Sequence, residues 1–159
     1  DLMNDINLRG TYLCSKICLK HLKKSKNPHI LNMSPPISLK PKWFENFTAY
    51  TIAKFGMSMC VIGMSAEYKK YNIAVNALWP KTAIDTAAIR MLGGVVRPEQ
   101  CRKVDILADA SFFVLRRDSN KFTGKFYIDE EVFAEEGITD LEKYSVKKGE
   151  KLFTDLYLD

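Results

Sequence analysis

Two short apolar runs, His29–Met33 and Ile73–Trp79, flank a proline-free stretch from Thr48 to Tyr71 that is dense in Met and Ala. Each run is too short for a helix. Pro35-Pro36 closes the first and Pro80 the second, so both read as buried strands. The stretch between them holds good helix formers and few breakers and reads as one long helix. Strands alternating with helices select a parallel α/β architecture over hairpin-built sheets.

The flanks extend the same alternation. Leu2, Ile6, Leu13, Ile17 and Leu22 fall near helical spacing, predicting a helix over 1–25 that Asn27-Pro28 stops. Residues 35–47 form a loop carrying Trp43, Phe44 and Phe47. Residues 82–92 read as a short helix closed by Gly93-Gly94, and Pro98 stands where a further helix to Leu115 would begin. Thr123-Gly124 leads into a third strand, Lys125–Asp129, and Glu130–Asp159 shows no firm period. The expected organisation is a domain over 1–135 and a tail or linker over 136–159. Three strands are few, and so small a sheet leaves an edge raw. Because the sequence also opens on Asp1, inside a helical pattern, a fragment of a longer polypeptide is the expectation.

With 47% hydrophobic and 27% charged residues, the composition is that of an ordinary globular chain. No apolar run reaches the ~18 residues of a membrane span. The net charge of +5 has its largest local source at Lys20, Lys23, Lys24 and Lys26. These cations sit at a helix C-terminus, where the helix dipole favours them. With no interleaved aromatics, a solvated helix end is favoured over a nucleic-acid surface. Cys14, Cys18, Cys60 and Cys101 form no C-x-x-C and have neither histidine at ligand spacing, so reduced, buried thiols are expected and no metal site. His21 and His29 offer no Ser-His-Asp system.

The chemistry-bearing pattern is Y-x-x-x-K. It occurs three times, at Tyr12/Lys16, Tyr50/Lys54 and Tyr144/Lys148. Four apart on a helix, the two side chains are neighbours. An ammonium beside a phenol favours phenolate, drawing the hydroxyl down from its ordinary value near ~10. Such a tyrosine serves as general acid for carbonyl reduction or base for alcohol oxidation. Surroundings single out Tyr50/Lys54. The H-I-L-N-M-S-P-P strand, with Asn32 and Ser34 at its end, precedes the pair. I-A-V-N-A-L-W-P follows, then Lys81-Thr82-Ala83-Ile84-Asp85-Thr86, and later F-T-G-K-F-Y-I-D. The other two pairs read as surface helix residues.

In order and spacing these segments, with I-N-L-R-G-T-Y upstream, resemble the second half of a short-chain dehydrogenase/reductase. The resemblance implies a partial Rossmann-like parallel sheet with flanking helices, using NADP or NAD. It implies Tyr50 as proton donor and acceptor, Lys54 as the residue that binds the cofactor ribose and lowers the tyrosine pKa, and Asn7 as holder of a proton-relay water. Pro80, Ile84 and Thr86 would lie on the nicotinamide. The family's substrate-orienting serine aligns at Pro35, one past Ser34; Ser38, in the loop, lies nearer the usual distance from Tyr50. Lys81 replaces the family's glycine after Pro80, with an expected loss of backbone freedom, and Asp129-Glu130 replaces Asp-Gly. The glycine-rich pyrophosphate cradle belongs to the preceding half, and the eight glycines here include no G-x-G-x-x-G.

The resemblance implies oxidation or reduction of a lipid-like carbonyl or secondary alcohol, in peroxisome or mitochondrion, with the segment inert alone. The competing expectation is a non-catalytic module: by resemblance the helices at 1–25 and 48–71 pair across subunits in a homo-oligomer.

Overall fold

The computed structural model describes residues 2–91 and 93–158. The chain clusters into two compact units, Asp1–Trp79 with Leu115–Tyr127, and Pro80–Val114 with Ile128–Asp159.

The first unit begins with a helix in three pieces: α1 (Leu2–Asn4), a π-turn (Asp5–Arg9) and α2 (Gly10–Leu22). The Gly10 amide reaches back to the Asp5 carbonyl, five residues earlier, which is the mark of a π-turn. β1 (His29–Met33) follows, then a loop with one 3-10 turn (Pro41–Trp43), then α3 (Thr48–Tyr68). A 3-10 turn (Lys69–Tyr71) ends this helix. Asn72 caps it in the left-handed region at φ 59°, a conformation asparagine tolerates better than most residues.

β2 (Ala74–Trp79) is buried along its whole length. It pairs in parallel with β1, from His29 opposite Ala74 to Met33 opposite Leu78. On its other side the Gly124 amide donates to Val75 O and the Ala77 amide to Lys125 O, leading into β3 (Phe126–Ile128). The order β1-β2-β3 makes β2 the central strand. A strand buried on both faces is continuously apolar, and this explains A-V-N-A-L-W. Its one polar residue, Asn76, is satisfied inside: Nδ2 donates to Phe122 O and Oδ1 accepts from the Lys125 amide.

Val61, Met64 and Tyr68 of α3 form the core with Ile73, Val75 and Ala77, and Leu19, Leu22 and Ile30 pack against them. The π-turn rests on α3, where a Cβ at Gly56 would lie 2.9 Å from a Leu8 methyl. Glycine here lets two helices approach closely.

The second unit departs most from expectation. Helix over 82–92 is confined to α4 (Ala87–Met91), and residue 92 lies outside the described residues. The expected helix from Pro98 is only a 3-10 turn (Pro98–Gln100), and α5 (Asp105–Leu115) starts later. The intervening backbone is committed elsewhere. Arg102 donates its amide to Ala83 O and accepts from the Asp85 amide, and the Lys103 amide donates to Tyr144 O. Long-range backbone bonds here outweigh the local helix signal. Gly93 and Gly94 take positive φ, 64° and 90°.

Residues 130–158 are folded and packed, where the sequence offered no period. α6 (Asp129–Glu135) follows β3 directly, and a 3-10 turn (Glu142–Tyr144) comes after it. Val132, Phe133, Leu141, Tyr144 and Tyr157 are buried. Thr154 bridges antiparallel to Thr82, with the Ala83 amide on Phe153 O and the Asp155 amide on Lys81 O. Apart from Val132 and Phe133 in the short α6, these apolar residues lie singly among turns and leave no period to read.

Candidate active site

Tyr50 lies in the first turn of α3 and Lys54 one turn on, both half-buried. Lys54 Nζ is 5.9 Å from the Tyr50 ring centroid. This geometry alone decides nothing, because Lys16 Nζ stands 5.6 Å from the Tyr12 ring on α2. What differs is the rest of the lysine's surroundings. Lys54 Nζ donates to Met33 O at 3.2 Å, on the last residue of β1. It also stands 5.5 Å from the ring centroid of Trp79, the last residue of β2. One ammonium thus joins the C-terminal ends of two parallel strands to the helix that connects them. Ligands of open α/β sheets bind at those strand ends. The Met33 carbonyl and Trp79 escaped sequence reasoning. A main-chain acceptor has no residue signal, although an aromatic closing a buried strand beside proline was readable.

Tyr144/Lys148 is not a surface helix pair. Tyr144 ends a 3-10 turn, is buried, and donates its hydroxyl to Asp109 Oδ2 at 2.6 Å. Burial and that bond push the phenol up, away from proton exchange at neutral pH.

The end of β1 carries two orphaned polar groups. Ser34 is fully buried, Asn32 nearly so, and neither Ser34 Oγ nor Asn32 Nδ2 has a hydrogen-bond partner among the described residues. Two apart on an extended chain, these side chains fall on one face. Buried polar atoms are rarely left unpaired, and the exceptions cluster at functional sites. Ser38 is half-buried in the loop, where its Oγ accepts from the Lys40 amide. Pro35 is buried beside Ser34.

Asn7 occupies the π-turn, half-buried, and its Nδ2 donates to Met3 O at 3.0 Å. π-turns interrupt helices mostly at functional positions, so asparagine and irregularity coincide. The Leu8 contact with Gly56 seats this turn on the helix that carries Tyr50 and Lys54.

Pro80, Ile84 and Thr86 belong to the second unit. Pro80 and Ile84 are buried and Thr86 is half-buried. Their segment is held throughout: the Lys81 amide donates to Asp129 Oδ1 at 2.7 Å, and Ile84 bridges to Arg102. Lys81 is not among the residues at positive φ, so the loss of glycine there strains nothing. Arg102 is buried. Its guanidinium donates twice to Glu130 Oε1, at 3.1 and 2.8 Å, and once to Leu141 O at 2.8 Å. Burial pushes the fully enclosed Asp129 carboxyl up to about 6. Asp129 and Arg102 are structural supports of this segment that the sequence did not disclose.

The cysteines are unpaired, and only Cys101 is buried; Cys14 and Cys18 are exposed, against expectation. They lie on the outward side of α2, whose inward contacts come from Leu19 and Leu22.

Comparison with known proteins places this geometry in a family. Residues 1–92 match the short chain dehydrogenase family. Across its whole length the chain is 60% identical to hydroxysteroid dehydrogenase-like protein 2 of Danio rerio, of which it spans 38%. It superimposes on a dehydrogenase from Xanthomonas campestris with a TM-score of 0.96 at 48% identity, covering all of this chain and 58% of that one. A short chain dehydrogenase from Mycobacterium thermoresistibile gives 0.90 at 44%, covering all of this chain and 56% of that one.

Proposed function

The chain belongs to the short-chain dehydrogenase family, and from that premise we propose that it is the proton-transfer half of an NAD- or NADP-dependent oxidoreductase. The substrate is a carbonyl or secondary alcohol on a lipid-like molecule. The observation that supports this reading above the others is Lys54, anchored to Met33 O and lying beside the Trp79 ring while it neighbours Tyr50.

The residues fit a nicotinamide nucleotide in kind. An ammonium has three donors. Lys54 donates to Met33 O, and an ammonium at this strand end suits a ribose hydroxyl. The orphaned Ser34 Oγ and Asn32 Nδ2 offer polar contacts at the strand end. The nicotinamide, when bound, supplies or accepts the hydride. Tyr50 gives a proton to the carbonyl oxygen during reduction and takes it back during oxidation. Lys54 stabilises the phenolate in between, and Ser34 or Ser38 orients the oxygen. Asn7 holds a water through which the proton reaches solvent. Pro80, Ile84 and Thr86 are assigned to the nicotinamide. Without a glycine-rich cradle of its own, this segment by itself transfers no hydride.

The test belongs in the full-length parent. Tyr50→Phe should lower turnover about 10²- to 10⁴-fold while nucleotide still raises the melting temperature as in the wild type. Wild-type turnover in that variant would sink the assignment of Tyr50.

A second reading has its own support. Ile52, Met59 and Ile62 are each at least half exposed along one side of α3, and Ile6 and Ile17 project from the first helix. Apolar side chains spaced this way commonly face a partner. We assign this stripe to a homo-oligomer contact, through which a catalytically silent relative would still assemble. A parent that binds no nicotinamide nucleotide yet sediments as a dimer would favour it.

A further inference from the structure

Serine and threonine inside a helix usually turn the hydroxyl back onto their own helix, bonding the carbonyl four residues earlier. Ser15 does so onto Thr11 O and Ser111 onto Leu107 O, both at 2.7 Å. Two hydroxyls of α3 also reach outside their helix. Thr51 Oγ1 donates to Trp43 O, eight residues back, at 2.6 Å. Ser58 Oγ donates to Pro35 O at 2.6 Å and, at the longer distance of 3.3 Å, to Lys54 O. Both residues are fully buried. The Ser58–Pro35 bond is buried and the Thr51–Trp43 bond partly so, and an unmet carbonyl becomes more unfavourable as water is excluded.

The two acceptors stand near opposite ends of the segment between β1 and α3. Pro35 directly follows Ser34, and Trp43 precedes Phe44, whose ring meets Phe55 of α3 edge-on at 5.8 Å. The loop is thus gripped twice by the helix bearing Tyr50 and Lys54, and one grip neighbours Tyr50 in sequence. Between the grips Leu39 is 78% exposed. Core packing alone does not ask for this arrangement, since valine and alanine would fill the same space.

We propose that Thr51 and Ser58 are positioning residues, which hold the 35–44 loop to α3 by its carbonyls so that substrate meets Tyr50 against a fixed wall. The role in turnover rests on the oxidoreductase reading above; the grip itself does not.

The experiment uses the full-length parent with Thr51→Val, Ser58→Ala and the conservative Thr51→Ser. Hydrogen exchange at the amides of residues 37–47 reads the grip without any substrate. Exchange should quicken at least tenfold at 43–47 in Thr51→Val and at 37–40 in Ser58→Ala, and return toward wild type in Thr51→Ser. Reduction of 2-decanone by NADPH or NADH should show KM raised about five- to tenfold with kcat within about twofold. Nucleotide affinity should stay unchanged. Loop exchange equal to wild type in both deletions overturns the grip. Loosened exchange with unchanged KM overturns the positioning role. If the wild type turns over no ketone or alcohol, the oxidoreductase reading has failed and exchange alone decides the grip.

Discussion

Among the described side chains, Asp129 carries the largest shift in charge state that burial imposes. Its Oδ1 accepts from the Lys81 and Glu130 amides, yet Oδ2 has no partner and the residue is fully enclosed. Desolvation wins over those two bonds and lifts the carboxyl to about 6. A carboxyl that keeps its proton longer in the fold than in the unfolded chain, where it titrates near ~3.9, contributes stability at low pH. That contribution is lost as pH rises from about 4 to about 6. Asp129→Asn keeps an oxygen for both amides and removes the titration. Its unfolding free energy relative to wild type should therefore climb by roughly 2–3 kcal/mol across that window and level off above it. Urea melts at half-unit pH steps would show this, and a flat difference would refute it. The sequence marked Asp129 only as the last residue of a strand, ahead of a Glu130 that departs from the family pattern. Its burial follows from α6 and the Lys81 amide, which no local pattern announces.

At the scale of elements, the close approach of the π-turn to α3 sets where Asn7 stands. Gly56 permits it, and the opposing atoms are the flexible end of Leu8. Alanine at 56 would gain about 1 kcal/mol of helix propensity and need only a small rotation of Leu8, so Gly56→Ala should lie within about 1 kcal/mol of wild type. Gly56→Ile leaves no such escape. It should lose about 2–3 kcal/mol and recover part of that with Leu8→Ala, as a double-mutant cycle in thermal melts would show. β1 and β2 were legible because prolines close them and apolar runs fill them, and α3 because helix formers run between them with few breakers. The Gly56 contact was not, since a lone glycine in a helix pattern reads equally as tolerated weakness. The Tyr50/Lys54 pair was legible only through its neighbours: its spacing and ring distance are nearly those of Tyr12/Lys16.

For the molecule as a whole, the two units are built on different rules. The first is a layered sheet and helices with an apolar core, and its sequence announces it. The second has short helices and isolated bridges, held by buried polar bonds that converge on Arg102. Removing one partner of a buried charged pair strands the other. Arg102→Met should lower unfolding free energy by about 3 kcal/mol, a value at the lower end for such pairs because Glu130 keeps some solvent contact. The loss should appear as faster hydrogen exchange at the Asp85, Lys103 and Val146 amides, whose bonds run to and beside Arg102. Unaltered exchange there would show that Glu130 and Leu141 find other partners. Ion pairs between residues far apart in sequence give no periodic signal, so this unit was read as two longer helices and a tail.

The π-turn at Asp5–Arg9 has one more consequence. It is an α-helix carrying a single surplus residue between Asp5 and Arg9. Loss of one residue there would turn the π-turn into α-helix and swing α1 by about 100° around the axis. Everything from Gly10 onward would keep its register. A change of length by one at this place therefore turns α1 while leaving α2 as it stands.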